Sequence, residues 1–222
     1  MNFLLKYPTR GRREIFDKQI AKWNEMASGK HTIKWVISCD FDDEAMQDLR
    51  STEDQLVYFN HPRGKIAACN ANVETALQEF PETEIIVLVS DDMVPQVQGW
   101  DDIMATEMSR HYPNLTGALH INDGLQGLNL CTLSVMGVKL YRELGYLYHP
   151  DYISTHCDNE YTEWIWGKRR AVWIPEVVVK HDWVGNTIND ELHKKNHSLM
   201  SRDEQVYQER RKRGFPKTTV LA

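Results

Sequence analysis

Two hydrophobic periods alternate along the first half of the chain, and their alternation predicts a sheet interleaved with helices. Short runs rich in β-branched and leucine residues, NFLLKY (2–7), TIKWVIS (32–38), QLVYF (55–59) and EIIVLVS (84–90), read as buried strands. Between the first two, Ile15, Phe16, Ile20, Trp23 and Ala27 recur at helical spacing, with Gly29 as a stop. Between the last two, Ile66, Cys69, Val73, Leu77 and Phe80 form a similar stripe that Pro81 ends. This order predicts βαβ units, and so an α/β, Rossmann-like domain with a mainly parallel central sheet flanked by helices.

After Pro95 the pattern loosens. A helix is expected from about residue 99 to 111, carrying Trp100, Ile103, Met104 and Met108 inward. Apolar runs follow at 115–121 and 128–136, then a short helix around KLYREL, and a further strand in RAVWIPEVVVKHDW (170–183), where Pro175 marks an edge or a break. The polar stretch from 201 to 213 favours a helix and stops at Gly214 and Pro216. No repeat, low-complexity tract or linker divides the chain. One domain over 1–222 is expected, with a regularly alternating half (1–114), a looser half (115–190) and a helical tail (191–222).

Composition narrows the classes. With 222 residues and 41% hydrophobic content the chain can bury one substantial core, and its net charge of -6 argues against a general coat of nucleic-acid-binding charge. The apolar stretch before Lys6 is too short for a signal segment and no run approaches membrane-spanning length, so a soluble, cytoplasmic protein without a transmembrane segment is expected. Cys39, Cys69, Cys131 and Cys157 are scattered without a CxxC pair, which predicts reduced, packed thiols.

The candidate chemistry begins where EIIVLVS ends in Asp91 and Asp92. Carboxylates there would sit at the C-terminal tip of a strand, where open α/β sheets bind ligands. Oxygen ligands suit Mg2+ or Mn2+, and such a cation typically bridges one or two protein carboxylates to substrate phosphates. A solvated turn before Pro95 is the plainer use of the same residues.

Further motifs line up with this one: YPTRGRREIF after the first strand, SCDFDDEAM after the second, HPRGKIAACNANVETAL after the third, then SVMGVKLYRELGYLYHPDY, CDNEYTEW and KHDWVG. Their order and spacing, to about Gly185, resemble the GT-A fold nucleotide-sugar glycosyltransferases, close to the family 2-like enzymes. The resemblance implies a first nucleotide-binding loop of Pro8, Thr9 and Arg10, Asp40 facing the pyrimidine base, and donor contacts from Gly64, Lys65 and Asn70. SDDMVP matches the metal-binding DxD region, but Val89 stands where its first aspartate would be, which leaves open whether Asp91 or Asp92 touches the metal. His181 would complete the coordination of Mn2+ or Mg2+, and Asp158 would be the catalytic base. The implied reaction moves a sugar from a nucleotide-sugar donor, a UDP-sugar first, to an acceptor hydroxyl by one inverting displacement, with Arg10 or Lys65 assisting the leaving diphosphate.

Other readings compete for the same residues. Asp158 or Asn159 fits a helix cap, and His181 fits a surface histidine after a strand. A nucleotidyltransferase would show a more glycine-rich first loop than TRGRR, and a binding-only module would be expected to lose its strand-tip carboxylates. His193 and His197 share a helical face but lack an HExxH pattern for zinc. Trp164, Trp166, Trp100 and Trp183 are candidates for stacking on a sugar or base, Trp183 foremost. Lys194, Lys195, Arg202, Arg210, Arg211, Lys212 and Arg213 make a basic tail that suits an anionic partner such as DNA bearing hydroxymethylated bases. The interleaved Asp203, Glu204 and Glu209 suit a solvated helix equally.

Overall fold

The computed structural model describes residues 1–182 and 198–215. Its centre is a seven-stranded sheet built from β1 (Asn2–Pro8), β2 (Thr32–Asp40), β3 (Gln55–Asn60), β4 (Ile85–Leu88), β6 (Ala118–Ile121), β7 (Val135–Gly137) and β8 (Ala171–Ile174), in the order β3-β2-β1-β4-β7-β6-β8. The pairs β1–β2, β2–β3, β1–β4 and β6–β8 are parallel, while β7 runs antiparallel to both β4 and β6. The α/β class and the mainly parallel sheet agree with the hydrophobic pattern. β5 (Met93–Pro95) and β9 (Val179–His181) form a separate antiparallel pair.

Strand alternation sorts the core into two layers. Phe3, Leu5 and Tyr7 of β1 pack on one face with Phe16 and Trp23 of α1 (Arg13–Glu25) and with Trp100, Met104 and Met108 of α4 (Trp100–His111). Leu4 faces the other layer, where α2 (Lys65–Asn70), α3 (Val73–Glu79), α5 (Val138–Leu144) and α6 (Cys157–Gly167) bury Ile66, Val73, Leu140, Tyr161 and Ile165. Trp100, a candidate for the site, is instead wholly buried, with its ring edge-on to Trp23 and Nε1 donating to the Trp23 carbonyl at 2.9 Å. All four cysteines are buried and free. No described helix is long and apolar enough to cross a membrane.

Two expected elements differ. The stripe from Ile66 to Phe80 is two helices, because Asn72 takes a left-handed conformation (φ 64°) between them, yet both bury the same face. The run 128–136 is strand only at its end. Cys131 and Leu133 are buried in irregular backbone, which hydrophobicity alone does not separate from a strand.

The last described helix, α7 (Met200–Lys212), clamps the segment leading into α6. Asp203, wholly buried, accepts the backbone N–H groups of Ile153, Ser154 and Thr155 at 3.2, 2.7 and 2.8 Å. Arg210 forks onto Glu160, Nε to Oε2 at 2.6 Å and Nη2 to Oε1 at 2.7 Å, while the Tyr152 hydroxyl donates to the same carboxylate. Arg211 pairs with Glu163 and Arg202 with Asp203. In the described part of the basic tail, Arg202, Arg210 and Arg211 each pair with a carboxylate of the chain and Arg210 is buried, while Lys212 and Arg213 are exposed. Lys194 and Lys195, like His193, His197 and Trp183, lie outside the described residues. Arg210→Ala would leave the buried Glu160 carboxylate without its cation and should cost about 3–5 kcal/mol of stability. Urea unfolding measures this, and an unchanged midpoint would show the pair to be dispensable.

Candidate active site

The strand order reverses between β1 and β4, and at such a switch point open α/β sheets bind ligands in the crevice outside the C-terminal strand ends. Asp91 and Asp92 stand there, past Val89 and Ser90 at the end of β4, as the sequence predicts. Their environments differ. Asp91 accepts from the Tyr7 hydroxyl at 2.8 Å and from Arg12 Nη1 at 2.9 Å, while Gln19 holds its carbonyl. Burial raises the Asp91 pKa despite these donors. Asp92 faces His181, with Oδ2 3.3 Å from Nε2, and its Oδ1 accepts from Ser90 Oγ. Burial works against that carboxylate's charge, but His181 and Ser90 outweigh it and bring its pKa down to about 2.

The small β5–β9 sheet delivers the histidine. Met93 pairs with His181, and the Asp182 N–H donates to the Asp92 carbonyl at 2.7 Å. On its other side, His181 Nδ1 lies 3.6 Å from Asp123 Oδ2, and the His181 N–H donates to the Asp123 carbonyl at 2.8 Å. Burial disfavours the imidazolium, but Asp123 and Asp92 together more than offset it, raising the His181 pKa to about 9. Asp123 is held well below the usual carboxylate range by His181, by the N–H groups of Leu125 and Gln126, and by Thr132, against the opposing effect of its burial.

Asp92 and His181 fit a divalent cation by chemistry: a carboxylate and an imidazole at one crevice edge suit Mn2+ or Mg2+. His181 stands between Asp92 and Asp123, so the three do not converge, and among the described residues no three His, Cys, Asp or Glu side chains form a closed shell. A cation held there would need its remaining ligands from water or phosphate oxygens, as hard cations prefer. Buried His181 Nδ1 has no partner within hydrogen-bond distance. It is oriented toward Asp123 as a metal-bound histidine is oriented by an outer carboxylate.

Lys65 and Asp158 stand at the starts of two helices, α2 and α6. Gly64 turns the chain into α2 at φ 99°, and a Cβ there would meet Ile153 Cγ2 at 2.8 Å, so only glycine fits this close approach. Lys65 follows, solvent-accessible, as a group lining an open cleft is. Desolvation disfavours its charge, but Cys157, Cys69, Asp92 and Asp158 more than compensate and raise its pKa. Asp158 is the second residue of α6. His156 holds the N-cap position at φ 61°, so Asp158 is not the cap that one reading expected. Glu160 and Glu163, the other acids of that helix, are paired with Arg210 and Arg211.

The first loop is built as a ledge beside the crevice. Thr9 extends β1 through its N–H to the Ser38 carbonyl at 3.0 Å, Gly11 N–H donates to Asp43 at 2.7 Å, and Arg10 Nη1 reaches both Asp40 and Asp42 at 2.6 Å. Pro8, Thr9, Arg10 and Asp40 are therefore neighbours, as expected of one subsite. Asn70 is not among them. Its Oδ1 accepts from the N–H groups of Leu147 and Tyr148 and its Nδ2 donates to the Tyr148 carbonyl at 2.6 Å, so its amide is committed to anchoring that loop rather than a donor. Trp166 is partly exposed and donates Nε1 to His120, whereas Trp164 packs against the core.

Sequence reasoning missed Tyr7, Arg12 and Asp123. Asp123 was accessible to it: the residue lies just past an apolar strand, as Asp91 and Asp92 do. Tyr7 was not, since its ring belongs to the core and only its hydroxyl reaches the site.

The protein has the GT-A fold of nucleotide-sugar glycosyltransferases. Among solved structures it is similar to the mannosyltransferase PcManGT of Pyrobaculum calidifontis, in complex with GDP-Man and Mn2+, at 17% identity and a TM-score of 0.59 over 86% of this chain. It is also similar to Drosophila beta-1,4-galactosyltransferase 7, in a mutant form with manganese, UDP-Gal and xylobiose (13% identity, TM-score 0.52, 87% of this chain and 73% of that one). A third is S. aureus TarS 1-349 in complex with UDP (13% identity, TM-score 0.57, 81% of this chain). The chain spans 59% of the mannosyltransferase and 59% of the TarS chain. It matches no protein-family model and no curated protein sequence.

Proposed function

We propose that the protein is a metal-dependent inverting glycosyltransferase that moves a hexose or pentose from a nucleotide-sugar donor, a UDP-sugar first, to an acceptor hydroxyl. The observation that carries this reading is the pair at the strand tips: Asp92 and His181, brought together at the switch point by the β5–β9 pairing, with Asp91 alongside. Asp92 and His181 would hold Mn2+ or Mg2+, with Asp91 positioned beside them by Tyr7 and Arg12. When bound, the cation supplies Lewis-acid stabilisation to the leaving diphosphate.

The chain's own residues account for the rest. Lys65 offers a fixed positive charge where negative charge develops as the bond from the anomeric carbon to the diphosphate oxygen breaks and that oxygen keeps the electron pair. Asp158 accepts the proton of the acceptor hydroxyl as its oxygen forms the new bond from the opposite side. One displacement inverts the anomeric centre. Asp40, oriented by Arg10, faces the base, and Pro8, Thr9 and Gly64 let the backbone approach the nucleotide. The reading is tested by nucleotide-sugar hydrolysis in the presence of Mn2+, because a donor-bound transferase releases nucleoside diphosphate slowly to water even when its acceptor is unknown.

A further inference from the structure

One carboxylate of α7 holds three successive N–H groups that belong to no helix or strand. Asp203 accepts from Ile153, Ser154 and Thr155, which lie 48 to 50 positions before it, and Arg202 Nη1 ties its Oδ1 to the Asp151 carbonyl. Burial works against the Asp203 charge, but those N–H groups and Arg202 outweigh it and lower its pKa. A stretch of irregular backbone is thereby given one conformation from the far end of the chain.

That stretch joins two helix starts. Toward α2, the Ile153 carbonyl accepts the Ile66 N–H at 3.1 Å, and Ile153 Cγ2 fills the space that a Cβ on Gly64 would need. Lys65 is therefore flanked on both sides by residues that rest on Ile153. Toward α6, Thr155 Oγ1 meets His156 Nδ1 at 3.1 Å, and His156, at φ 61°, leads into the turn that carries Asp158. The His156 ring also faces Tyr207 of α7, with centroids 6.0 Å apart. Any shift of residues 153–155 moves both helix starts.

We propose that Asp203 is a positioning residue for sugar transfer: through residues 153–155 it fixes the first turns of α2 and α6, and so the aim of Lys65 and Asp158, without meeting substrate. The proposal rests on the transferase reading given above and adds to it a residue of the C-terminal helix that governs turnover. Misplacing a catalytic group by about 1 Å can cost about 100-fold in rate. Loss of the clamp therefore falls on turnover, while UDP, held with its cation at Asp92 and His181, keeps its affinity.

The test measures nucleotide-sugar hydrolysis at saturating donor with Mn2+, UDP binding by calorimetry and amide hydrogen exchange, all on the full chain. In Asp203→Ala, turnover should fall about 10- to 100-fold with UDP binding nearly unchanged. The Ile66 N–H, which Asp203 does not touch, should lose exchange protection together with those of Ser154 and Thr155. Added to Asp158→Asn, the same change should cost little more, because effects of residues that act as a unit do not multiply. Asp203→Asn keeps an acceptor oxygen and should fall between the parent and the alanine variant, and it carries the test where the alanine variant does not fold. Parent turnover in folded Asp203→Ala, or in Asp203→Asn where it stands alone, or a loss that multiplies in full onto Asp158→Asn, would overturn the role of Asp203 while the transferase reading stands. A parent protein that hydrolyses no nucleotide sugar would overturn both.

Discussion

Asp92→Ala should abolish the Mn2+-dependent part of UDP binding, the largest loss expected from any single change at the site. Of the two adjacent carboxylates, Asp92 is the one that faces His181, whereas both oxygens of Asp91 accept from side chains of the first strand and loop. Without a cation between them, strand-tip carboxylates and a diphosphate repel each other, so removing the ligand removes the reason for binding. Asp123→Asn should act more mildly, lowering Mn2+ affinity about 10- to 100-fold, because it orients His181 and does not contact the diphosphate. Calorimetry of UDP with and without Mn2+ reads both effects. If Asp91→Ala loses the metal dependence and Asp92→Ala keeps it, the cation belongs on the other carboxylate.

Asp158→Asn should leave UDP binding nearly intact and lower sugar transfer about 100- to 10,000-fold, the range a general base contributes. The change keeps the size of the side chain and its place in the first turn of α6, where His156 holds the cap position, so the helix should be little disturbed. Glu160 and Glu163 cannot easily substitute, since each is already bound to an arginine of α7. Transfer at the parent rate would move the base elsewhere. Loss of UDP binding in the same variant would instead place Asp158 on the donor side of the crevice.

How much of this was legible in the sequence follows from the range of the interactions. Strands β1 to β4 were readable because each is a short, largely apolar run, buried along most of β1, β2 and β4 and half-buried in the edge strand β3, and the switch point places Asp91 and Asp92 with no further information. Gly64 and Lys65 were singled out by the resemblance that HPRGKIAACNANVETAL carries, and they stand at the turn into α2. What escaped depends on contacts between distant residues. Asp91 is set by Tyr7, 84 positions away, and His181 reaches Asp92 only because the three-residue strand Met93–Pro95 pairs with Val179–His181. Neither strand is long enough to carry a period. Asn70 was misread for the complementary reason: an asparagine in a helix next to a glycine turn looks the same whether its amide meets a ligand or, as here, the backbone of Leu147 and Tyr148. In the basic tail, charge counted along the chain does not reveal that Arg210 points inward to Glu160.

The central claim, that this crevice handles a nucleotide sugar, is tested most directly by incubating the protein with a panel of UDP-, GDP- and other nucleotide sugars and measuring free nucleoside diphosphate, with Mn2+ and with a chelator. The account predicts slow release from at least one donor, a UDP-sugar first, that requires the metal and is lost in Asp92→Ala. No release from any donor by protein that is folded, or release that continues unchanged under the chelator and in Asp92→Ala, would contradict it.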